Sequence, residues 1–331
     1  MASTVARGAG PPAPTGEAER REPTSRIGHA KSLAVTVLAG GPGAEREVSL
    51  ASGKAVHSAL LRLGHRPILR DIAPADLAAL EGPADFFFIA LHGEFGEDGA
   101  VQRELERRGL RYSGSGPDAS RVAMNKVQTK RRMEAIGLPT PSWRLADRDN
   151  SDAVALTFPT PAVVKPVCSG SSVDLTIARN EPALRAALER TTKKYGQALV
   201  ESYVRGQELT VGILGQQALP VCEIRTKREF YDYQAKYVDD DTEYRFEIDL
   251  PAKLLHRVQQ MSLSAHQALG LRVLSRVDWM IDAVTLEPFL LEVNTIPGFT
   301  SHSLVPKAAA RVGIDFDQLC QRVIDLSLAC P

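Results

Sequence analysis

The chain has 331 residues, of which 44% are hydrophobic and 24% are charged, and 40 Lys+Arg balance 40 Asp+Glu. This composition is typical of a globular protein of two or three domains and argues against a fibrous or membrane class. Because the net charge is zero, no overall field favours nucleic acid or a membrane as a partner. The four cysteines form no CxxC pair, which indicates reduced thiols and a cytoplasmic location.

Residues 1–31 are rich in Ala, Gly, Pro, Arg and Glu and have no periodic apolar positions. Such a segment cannot bury enough surface to offset the entropy lost on ordering, so we predict a disordered extension. Its glutamates argue against an organellar transit peptide.

Apolar strands alternate with amphipathic helices over residues 32–116, which predicts an α/β unit with a doubly wound parallel sheet. The strands are LAVTVLAG, PILRDI and DFFFIALHG, and the main helices run from about Val48 to Leu63 and from Gly99 to Arg108. In such sheets ligands bind beyond the carboxyl ends of the strands. The loops over residues 39–47 and 92–98 are therefore candidate site segments.

Two further units are predicted, at residues 117–204 and 205–331. The first begins with a helix that Asp118 caps and that runs to Ile136, followed by the strands AVVKP, DLTIA and ALVESYV. The second contains the strands LTVGILG and LPVCEIR, a long helix and a hairpin.

The hairpin pairs the segments RVLSRVDWMID and FLLEVN. A turn centred on Thr285 places Asp278 opposite Glu292, and Arg276 opposite Asn294, on one face. The other face is then apolar and carries Val277, Trp279, Ile281, Phe289, Leu291 and Val293. Two opposed carboxylates repel each other, so they indicate a cation between them, and oxygen ligands suit Mg²⁺. An alternative is a solvated face on which Arg276 neutralises both acids.

Nucleotide-binding signals of two common kinds are missing from the sequence. The early glycines form no dinucleotide fingerprint, since Arg46 stands where the third glycine belongs, and no P-loop motif occurs. A Rossmann oxidoreductase and a P-loop kinase are therefore disfavoured.

A different phosphate site is predicted where the strand that ends at Lys165-Pro166 enters a serine-rich loop. Backbone N–H groups and the hydroxyls of Ser171 and Ser172 could hold phosphates there, with Lys165 as a positive charge. The stretch from Glu201 to Glu208 could offer acceptors to adenine and ribose. The basic cluster from Lys126 to Arg132 is interpreted as a solvated helix face, apart from Lys126.

The chain from Leu33 to Leu328 resembles the D-alanine:D-alanine ligase family of the ATP-grasp superfamily. The matching motifs are GAEREVSLASG, IALHGEFGEDGAVQ, YSGSG, VVKP, GSSV, FYDYQAKY, SRVDWM and LLEVNTIPGFTSHSLVP. The resemblance implies a three-domain ATP-grasp architecture. Residues 32–116 would be the substrate domain, 117–204 the central ATP-grasp subdomain, and 205–331 the C-terminal ATP-grasp and metal-binding domain.

The resemblance also implies substrate roles, which we transfer by motif position. Glu47 would receive the ammonium group of the first D-alanine, with Ser171, Tyr237 and His92 close to it. Ser303 and Leu304 would receive the carboxylate of the second D-alanine. Arg276 and the backbone N–H of Gly298 would form the oxyanion site.

ATP and metal roles follow from the same resemblance. ATP would be held by Lys126, Lys165, Ser172, Glu201, Val204, Glu208 and Lys236, with Lys236 at the transferred phosphate. Two Mg²⁺ ions, or Mn²⁺ in their place, would be bound by Asp278, Glu292 and Asn294. The partners implied are ATP and D-alanine, and members of the family are often homodimers.

The implied reaction serves peptidoglycan precursor synthesis and has two steps. The carboxylate of the first D-alanine attacks the γ-phosphorus of ATP to give an acyl phosphate. The amine of the second D-alanine then attacks that carbonyl, while Arg276 stabilises the oxyanion. The segments 168–173 and 231–241 are expected to act as lids that exclude water.

Three positions depart from the family pattern. Asp174 stands where a glycine commonly follows GSSV, Ser202 replaces a lysine often found after Glu201, and Cys168-Ser169 replaces a charged residue. We expect Asp174 to weaken ATP binding unless its side chain points away from the phosphates.

Two other functions stay open from the sequence. One is a ligase that uses D-lactate or D-serine as the second substrate, against which the intact FYDYQAKY motif argues. The other is a catalytically impaired nucleotide-binding regulator, against which the presence of Asp278, Glu292 and Asn294 argues.

Overall fold

A computed structural model of the chain describes residues 32–170, 173–226, 242–300 and 303–330, together with residues 1, 2 and 4. The predicted disordered extension thus lies almost wholly outside the described residues. The part of the chain from Ser32 onward forms one compact unit. It contains three sheets, and the predicted domain boundaries within it remain predictions.

The first sheet is parallel, as predicted, and has the strand order β2-β1-β3. Its elements are β1 (Ala34–Ala39), α1 (Arg46–Arg62), β2 (Arg66–Asp71), a 3₁₀ turn (Ala78–Leu80), β3 (Phe86–Ile89) and α2 (Ala100–Arg107). Successive residues of β1 belong to different cores, with Val37 in the one that includes α1 and Leu38 in the one that includes α2. Helices therefore cover both faces of this sheet.

The second sheet is antiparallel, with the order β4-β7-β5-β6. Its segment consists of α3 (Pro117–Met124), α4 (Lys126–Ala135), β4 (Trp143–Asp147), α5 (Ser151–Thr157), β5 (Ala162–Pro166), β6 (Thr176–Ala178), α6 (Glu181–Tyr195) and β7 (Gln197–Ser202). Strand β4 and helix α5 were not predicted. The core of this unit lies between the sheet and helices α5 and α6.

The single helix predicted from Asp118 to Ile136 was wrong, because the chain breaks at Asn125. Asn125 has extended backbone angles, and its side-chain oxygen accepts a hydrogen bond from Gln128 N at 3.0 Å, so it caps a new helix. Asp118 is not the N-cap of α3, because Gly116 occupies the N-cap position and Asp118 lies in the first turn of the helix. The break turns the first residue of α4, Lys126, toward the second sheet, where its N–H bonds Val167 O.

The third sheet has the order β11-β10-β8-β12-β13, and the short strand β9 pairs with β8. Its elements are β8 (Gly206–Leu214), β9 (Gln217–Ala218), β10 (Cys222–Arg225), β11 (Glu243–Arg245), α7 (Ala252–Ala268), β12 (Leu274–Asp282), β13 (Pro288–Asn294), α8 (Leu304–Ala310) and α9 (Phe316–Ala329). Helix α7 packs on one face of the sheet through a core that includes Trp279 and Val258. The opposite face is left for the site. Among the residues that the structure describes, no helix has the length and apolar character needed to cross a bilayer.

The hairpin of β12 and β13 has the predicted cross-strand pairs, Asp278 with Glu292 and Arg276 with Asn294. The turn itself lies differently, because Asp282 N bonds Glu287 O, and a bulge between Asp278 and Trp279 restores the predicted register on the site side. Beyond the bulge Trp279 pairs with Leu290, not Leu291.

Because of this bulge, the apolar face of β13 carries different residues from those predicted. Leu290 is the residue fully buried in the core with Trp279, whereas Phe289 and Leu291 are only half-buried. Leu291 instead lines the cavity on the opposite face. A strict alternation could not foresee this, since a bulge shifts every later residue of one strand by one position.

The last helix, α9, packs on α1 at the start of the fold. Arg62 forms an ion pair with Asp317 at 2.5 Å, and His65 Nε2 lies 2.8 Å from Gln321 Oε1. Ile296, just after β13, lies in the core beneath β3. These contacts hold the end of β13 against the carboxyl ends of the first sheet.

His266 of α7 is a fully buried histidine whose Nδ1 lies 2.7 Å from Ser275 Oγ. Burial lowers its pKa from 6.5 to about 4. The unfolded chain therefore takes up a proton below pH 6.5 that the folded protein binds only near pH 4, so folding stability is lost as the pH falls through this window.

We predict that His266→Gln makes stability less sensitive to acid. Between pH 7 and pH 5 the wild type should lose about 2 kcal/mol more free energy of unfolding than the variant. Urea unfolding at both pH values measures this difference. His256→Gln, at an exposed histidine of the same helix, is the matched control, and equal pH dependence in wild type and His266→Gln would contradict the prediction.

Candidate active site

A cavity of about 530 Å³ lies between the second and third sheets, a size suited to a nucleotide. Its walls come from β5, β7, β8, β10, β12, β13 and the start of α4. The predicted residues that line it are Lys126, Lys165, Glu201, Val204, Glu208, Asp278 and Glu292. Seven residues distant in sequence are thus brought to one cavity.

The two opposed carboxylates are balanced by cations of the protein. The Arg276 guanidinium donates to Asp278 through Nε at 2.9 Å and Nη2 at 2.7 Å, and Thr210 Oγ1 donates to Asp278 Oδ1 at 2.6 Å. Lys126 Nζ lies 3.7 Å from Glu292 Oε2. The neutralisation by Arg276 that the sequence left open therefore occurs at Asp278, while Lys126 faces Glu292.

The donor set for a metal here consists of two carboxylates and one amide. Asn294 Oδ1 accepts a hydrogen bond from Ile296 N at 3.0 Å, which fixes the amide plane. Within the described ranges, no three His, Cys, Asp or Glu side chains form a group that could hold a metal ion. A cation bound at these residues would need further ligands from water or phosphate, as Mg²⁺ commonly takes.

Lys165 and Glu201 form a buried ion pair at the cavity wall. Lys165 Nζ lies 2.5 Å from Glu201 Oε2, and the second carboxylate oxygen is paired with Lys130 Nζ. Burial alone would raise the pKa of Glu201, but the two ammonium groups outweigh it and lower that pKa. Both oxygens of Glu201 therefore meet lysines, while the residue also lines the cavity, and its role as an acceptor for adenine and ribose stays a prediction.

Lys130 contradicts the interpretation of the basic cluster as a solvated face. Its side chain is 1% exposed. Lys130 lies one helical turn beyond Lys126 on α4 and so shares its face of the helix. Its Nζ also donates to Pro141 O at 3.4 Å. A lysine on a polar helix gives no sequence signal of burial, because only the packing of the helix end against β7 reveals it.

A second, smaller cavity shares Lys126, Ser169 and Glu292 with the first and therefore adjoins it. Glu45, Glu97, Arg276 and Asn294 also line it. The Glu45 carboxylate lies against two glycines, since a Cβ at Gly93 or Gly170 would come within 2.8 or 3.1 Å of Glu45 Oε2. Glu45 thus joins three loops at this cavity.

Glu47, the predicted recipient of the ammonium group, lies elsewhere. It is exposed in the first turn of α1 and lines neither cavity. Glu45, the N-cap residue just before α1, is the carboxylate of this motif that lines the smaller cavity. Both residues lie in the loop motif GAEREVSL, and two positions within one motif decide which carboxylate faces inward.

His92 is 6% exposed and links three segments at the edge of the smaller cavity. Its Nε2 lies 3.1 Å from Ser52 Oγ, its Nδ1 lies 3.1 Å from Ile296 O, and Glu97 Oε1 is 3.7 Å from Nδ1. Burial raises the pKa of Glu97. The sequence motifs gave no role to Glu97, although it lies in the strand-end loop over residues 92–98, which the topology predicted to be a site segment.

The remaining predicted residues fall into two groups. Gly298, Ser303 and Leu304 lie between β13 and the start of α8, where Ser303 Oγ accepts from Thr300 N at 3.1 Å, and they line neither cavity. Ser171, Ser172, Lys236 and Tyr237 lie outside the described residues, as do the whole of the expected lid segment 231–241 and part of the segment 168–173.

Asp174 does point away from the phosphate loop. Its carboxylate accepts from Lys194 Nζ at 2.6 Å and from the Tyr195 hydroxyl, and the hydrogen bond from Lys194 lowers its pKa. Its backbone φ is +57°, a conformation that glycine adopts without strain and aspartate tolerates. The common glycine can therefore be replaced here without placing a negative charge in the cavity.

Ser202, the second departure, lines the larger cavity and shares a hydrogen bond of 2.5 Å with Ser142 Oγ. Cys168 is exposed and does not line either cavity. The hydroxyl pair thus replaces a lysine at the rim of the cavity with a short neutral side chain.

Comparison with known proteins gives a consistent set of relatives. A family model described as "D-ala D-ala ligase C-terminus" matches residues 132–325. The D-alanine–D-alanine ligase of Albidiferax ferrireducens is 45% identical over 296 residues, which are 88% of this chain and 86% of that protein. The D-alanine–D-alanine ligase of Gloeobacter violaceus is 43% identical over 89% of this chain and 100% of its own length.

Solved structures agree with these sequences. The Bacillus anthracis D-alanine–D-alanine ligase complexed with ATP has a TM-score of 0.78 and 34% identity, covering 90% of this chain and 98% of that one. The VanG D-Ala:D-Ser ligase of Enterococcus faecalis has a TM-score of 0.80 and 26% identity, covering 90% and 100%. The predicted ATP-grasp architecture is confirmed by these matches.

Thr210 and Thr295 provide a matched test of the hydrogen bond to Asp278. Thr210→Val removes a donor to a buried carboxylate and should lower the free energy of unfolding by about 2 kcal/mol. Thr295 Oγ1 is buried without a hydrogen-bond partner among the described residues, so Thr295→Val should be neutral or stabilising. Urea unfolding in the presence of a chelator measures both, and equal losses would contradict this assignment.

Proposed function

The chain belongs to the D-alanine–D-alanine ligase family, and we propose that its two adjoining cavities catalyse the ATP-dependent joining of two D-alanines. The products are D-alanyl-D-alanine, ADP and phosphate, and the dipeptide serves peptidoglycan synthesis. The observation that carries this proposal is the shared wall of the cavities. A nucleotide-sized space meets a smaller space lined by Glu45 and Arg276 at Lys126 and Glu292.

In the larger cavity, Lys126 and Lys165 offset the charge of the nucleotide phosphates. Both ammonium groups are nearly buried, so their attraction for phosphate is screened less than at a surface. Glu208 and Val204, at the start of β8 and just before it, are placed for the ribose and the base. Lys236 and the hydroxyls of Ser171 and Ser172 complete the proposed set from outside the described residues.

Asp278, Glu292 and Asn294 would hold Mg²⁺, and their all-oxygen donor set fits this ion. Mg²⁺ held there would neutralise the negative charge that develops on the phosphate oxygens. Arg276 and Thr210 orient the Asp278 carboxylate from the protein side.

In the smaller cavity, we assign the ammonium group of the first D-alanine to Glu45 in place of Glu47. The carboxylate of this first D-alanine then faces the nucleotide cavity across the shared wall and can attack the γ-phosphorus. Arg276 lines this cavity and is fixed by its two bonds to Asp278, so it can stabilise the oxyanion of the next step without reorganising. The Gly298 N–H is the second proposed donor.

The second D-alanine would bind with its carboxylate at Ser303 and Leu304. Glu97, which lines the smaller cavity, would border its amine, and His92 lies behind Glu97 with Nδ1 3.7 Å from the carboxylate. D-Alanine is favoured over D-serine as the second substrate because the intact FYDYQAKY motif resembles that of the dipeptide-forming members of the family.

We also propose a location, an oligomeric state and a domain division for this protein. The four cysteines are free thiols, which supports a cytoplasmic setting. A homodimer and the three-domain division at residues 116/117 and 204/205 are also proposed, and the three separate sheets support the latter.

The full-length protein with ATP, Mg²⁺ and D-alanine should release phosphate and D-alanyl-D-alanine in equal amounts. Competition among D-alanine, D-serine and D-lactate, read by mass spectrometry of the products, identifies the acceptor. Glu292→Gln should lower kcat by at least a hundredfold while thermal unfolding stays cooperative. Phosphate release at background with no dipeptide from any acceptor would refute the ligase proposal.

Glu45→Gln and Glu47→Gln separate the two candidates for the ammonium group. Glu45→Gln should raise KM for D-alanine at least tenfold, because the charge that pairs with the ammonium group in the cavity is lost, whereas Glu47→Gln should leave it within about twofold. Steady-state kinetics with D-alanine varied at saturating ATP measure both. The reverse order would restore the assignment to Glu47.

A further inference from the structure

Lys130 is the most buried lysine side chain of the described residues that forms an ion pair, and the reaction proposed above does not use it. It is 1% exposed, and it does not line the nucleotide cavity. Its ion-pair partner among the described residues is Glu201, itself 3% exposed at the side chain, and the charge of Glu134, one turn further along α4, acts on it more weakly. A lysine buried this deeply against one carboxylate acts through that carboxylate.

Glu201 in turn meets Lys165, which does line the cavity. The three side chains form a row in the order Lys130, Glu201, Lys165, with one net positive charge. Lys126 is close enough for its charge and that of Lys165 to disfavour each other. Because Lys130 and Glu201 neutralise each other, the net positive charge of the row lies at Lys165, the end that faces the cavity.

From this arrangement we propose that Lys130 is a positioning residue that lets Lys165 bind the nucleotide phosphates. If Glu201 had Lys165 as its sole partner, a shift of that ammonium group toward phosphate would leave a buried carboxylate without a counter-charge, which is strongly unfavourable. With Lys130 in place, Glu201 remains paired when Lys165 moves. The inference rests on the proposed function only in taking ATP as the ligand of the larger cavity.

The contacts of Lys130 favour this role over simple packing. Its ammonium group has one further bond, to Pro141 O at 3.4 Å, so its charge is directed almost entirely at Glu201. Glu201 is central in the sheet, since β7 pairs with β4 on one side and β5 on the other at this residue. The backbone that carries Glu201 is therefore fixed on both sides, and Lys130 supplies a second cation that stays with the carboxylate when Lys165 moves.

The test uses Lys130→Met, which keeps the apolar stem and removes the charge. Equilibrium binding of ADP with Mg²⁺ to the full-length protein should weaken at least tenfold, and KM for ATP should rise with it, while KM for D-alanine stays within about twofold. Lys130→Arg should recover most of the nucleotide affinity. Lys253→Met, at an exposed lysine of α7, is the matched control and should bind ADP as the wild type does.

A double-mutant cycle separates positioning from packing. In the Glu201→Gln background there is no carboxylate charge left to neutralise, so adding Lys130→Met should weaken ADP binding by less than about twofold. An equal loss in both backgrounds, or unchanged ADP affinity in Lys130→Met, would overturn the inference. Thermal unfolding of each variant confirms that the measured protein is folded.

Because ADP binding needs neither D-alanine nor turnover, these results stand apart from the ligase assay. Wild-type protein that binds ADP but forms no dipeptide would refute the proposed function alone. Wild-type protein that forms dipeptide, with ADP affinity unaffected by Lys130→Met, would refute the role of Lys130 alone.

Discussion

The antiparallel pairing of β12 with β13 is the constraint on which the site depends. It places Asp278 opposite Glu292 and leaves one face of the third sheet polar while the other carries Trp279 into the core. A shift of β13 by one residue would turn Glu292 toward the core and away from Asp278, and the pair of opposed carboxylates would be lost. The bulge after Asp278 allows the tight turn and the required register to coexist.

Charge in the site is arranged in short alternating rows. Arg276 and Thr210 hold Asp278, Lys126 faces Glu292, and Glu201 lies between two lysines. Each buried charge thus has an opposite neighbour, which is how a protein keeps ionised groups out of water. Nucleotide phosphates and a divalent cation would enter a region whose charges are already paired, and the pairs would exchange partners rather than form anew.

The fold and the polar face of the hairpin could be predicted from the sequence because they depend on short-range periodicity. Strand alternation in the hairpin and the alternation of strands and helices before residue 117 were sufficient for both. What the sequence could not decide depends on single residues within a motif. Glu45 and Glu47 differ by two positions at a helix start, and Lys130 carries a charge that every pattern rule assigns to the surface. Their orientation is decided by packing between elements distant in sequence.

The contact of α9 with α1 has a consequence for how the protein is made. Val35 and Val37, near the start of the first sheet, share one core with Leu319, Val323 and Ile324 of the last helix. The ribosome must therefore release almost the whole chain before that core can close. Contacts between such distant segments slow folding, and until α9 arrives the part of this core that α1 leaves uncovered remains open to chaperones and to other nascent chains.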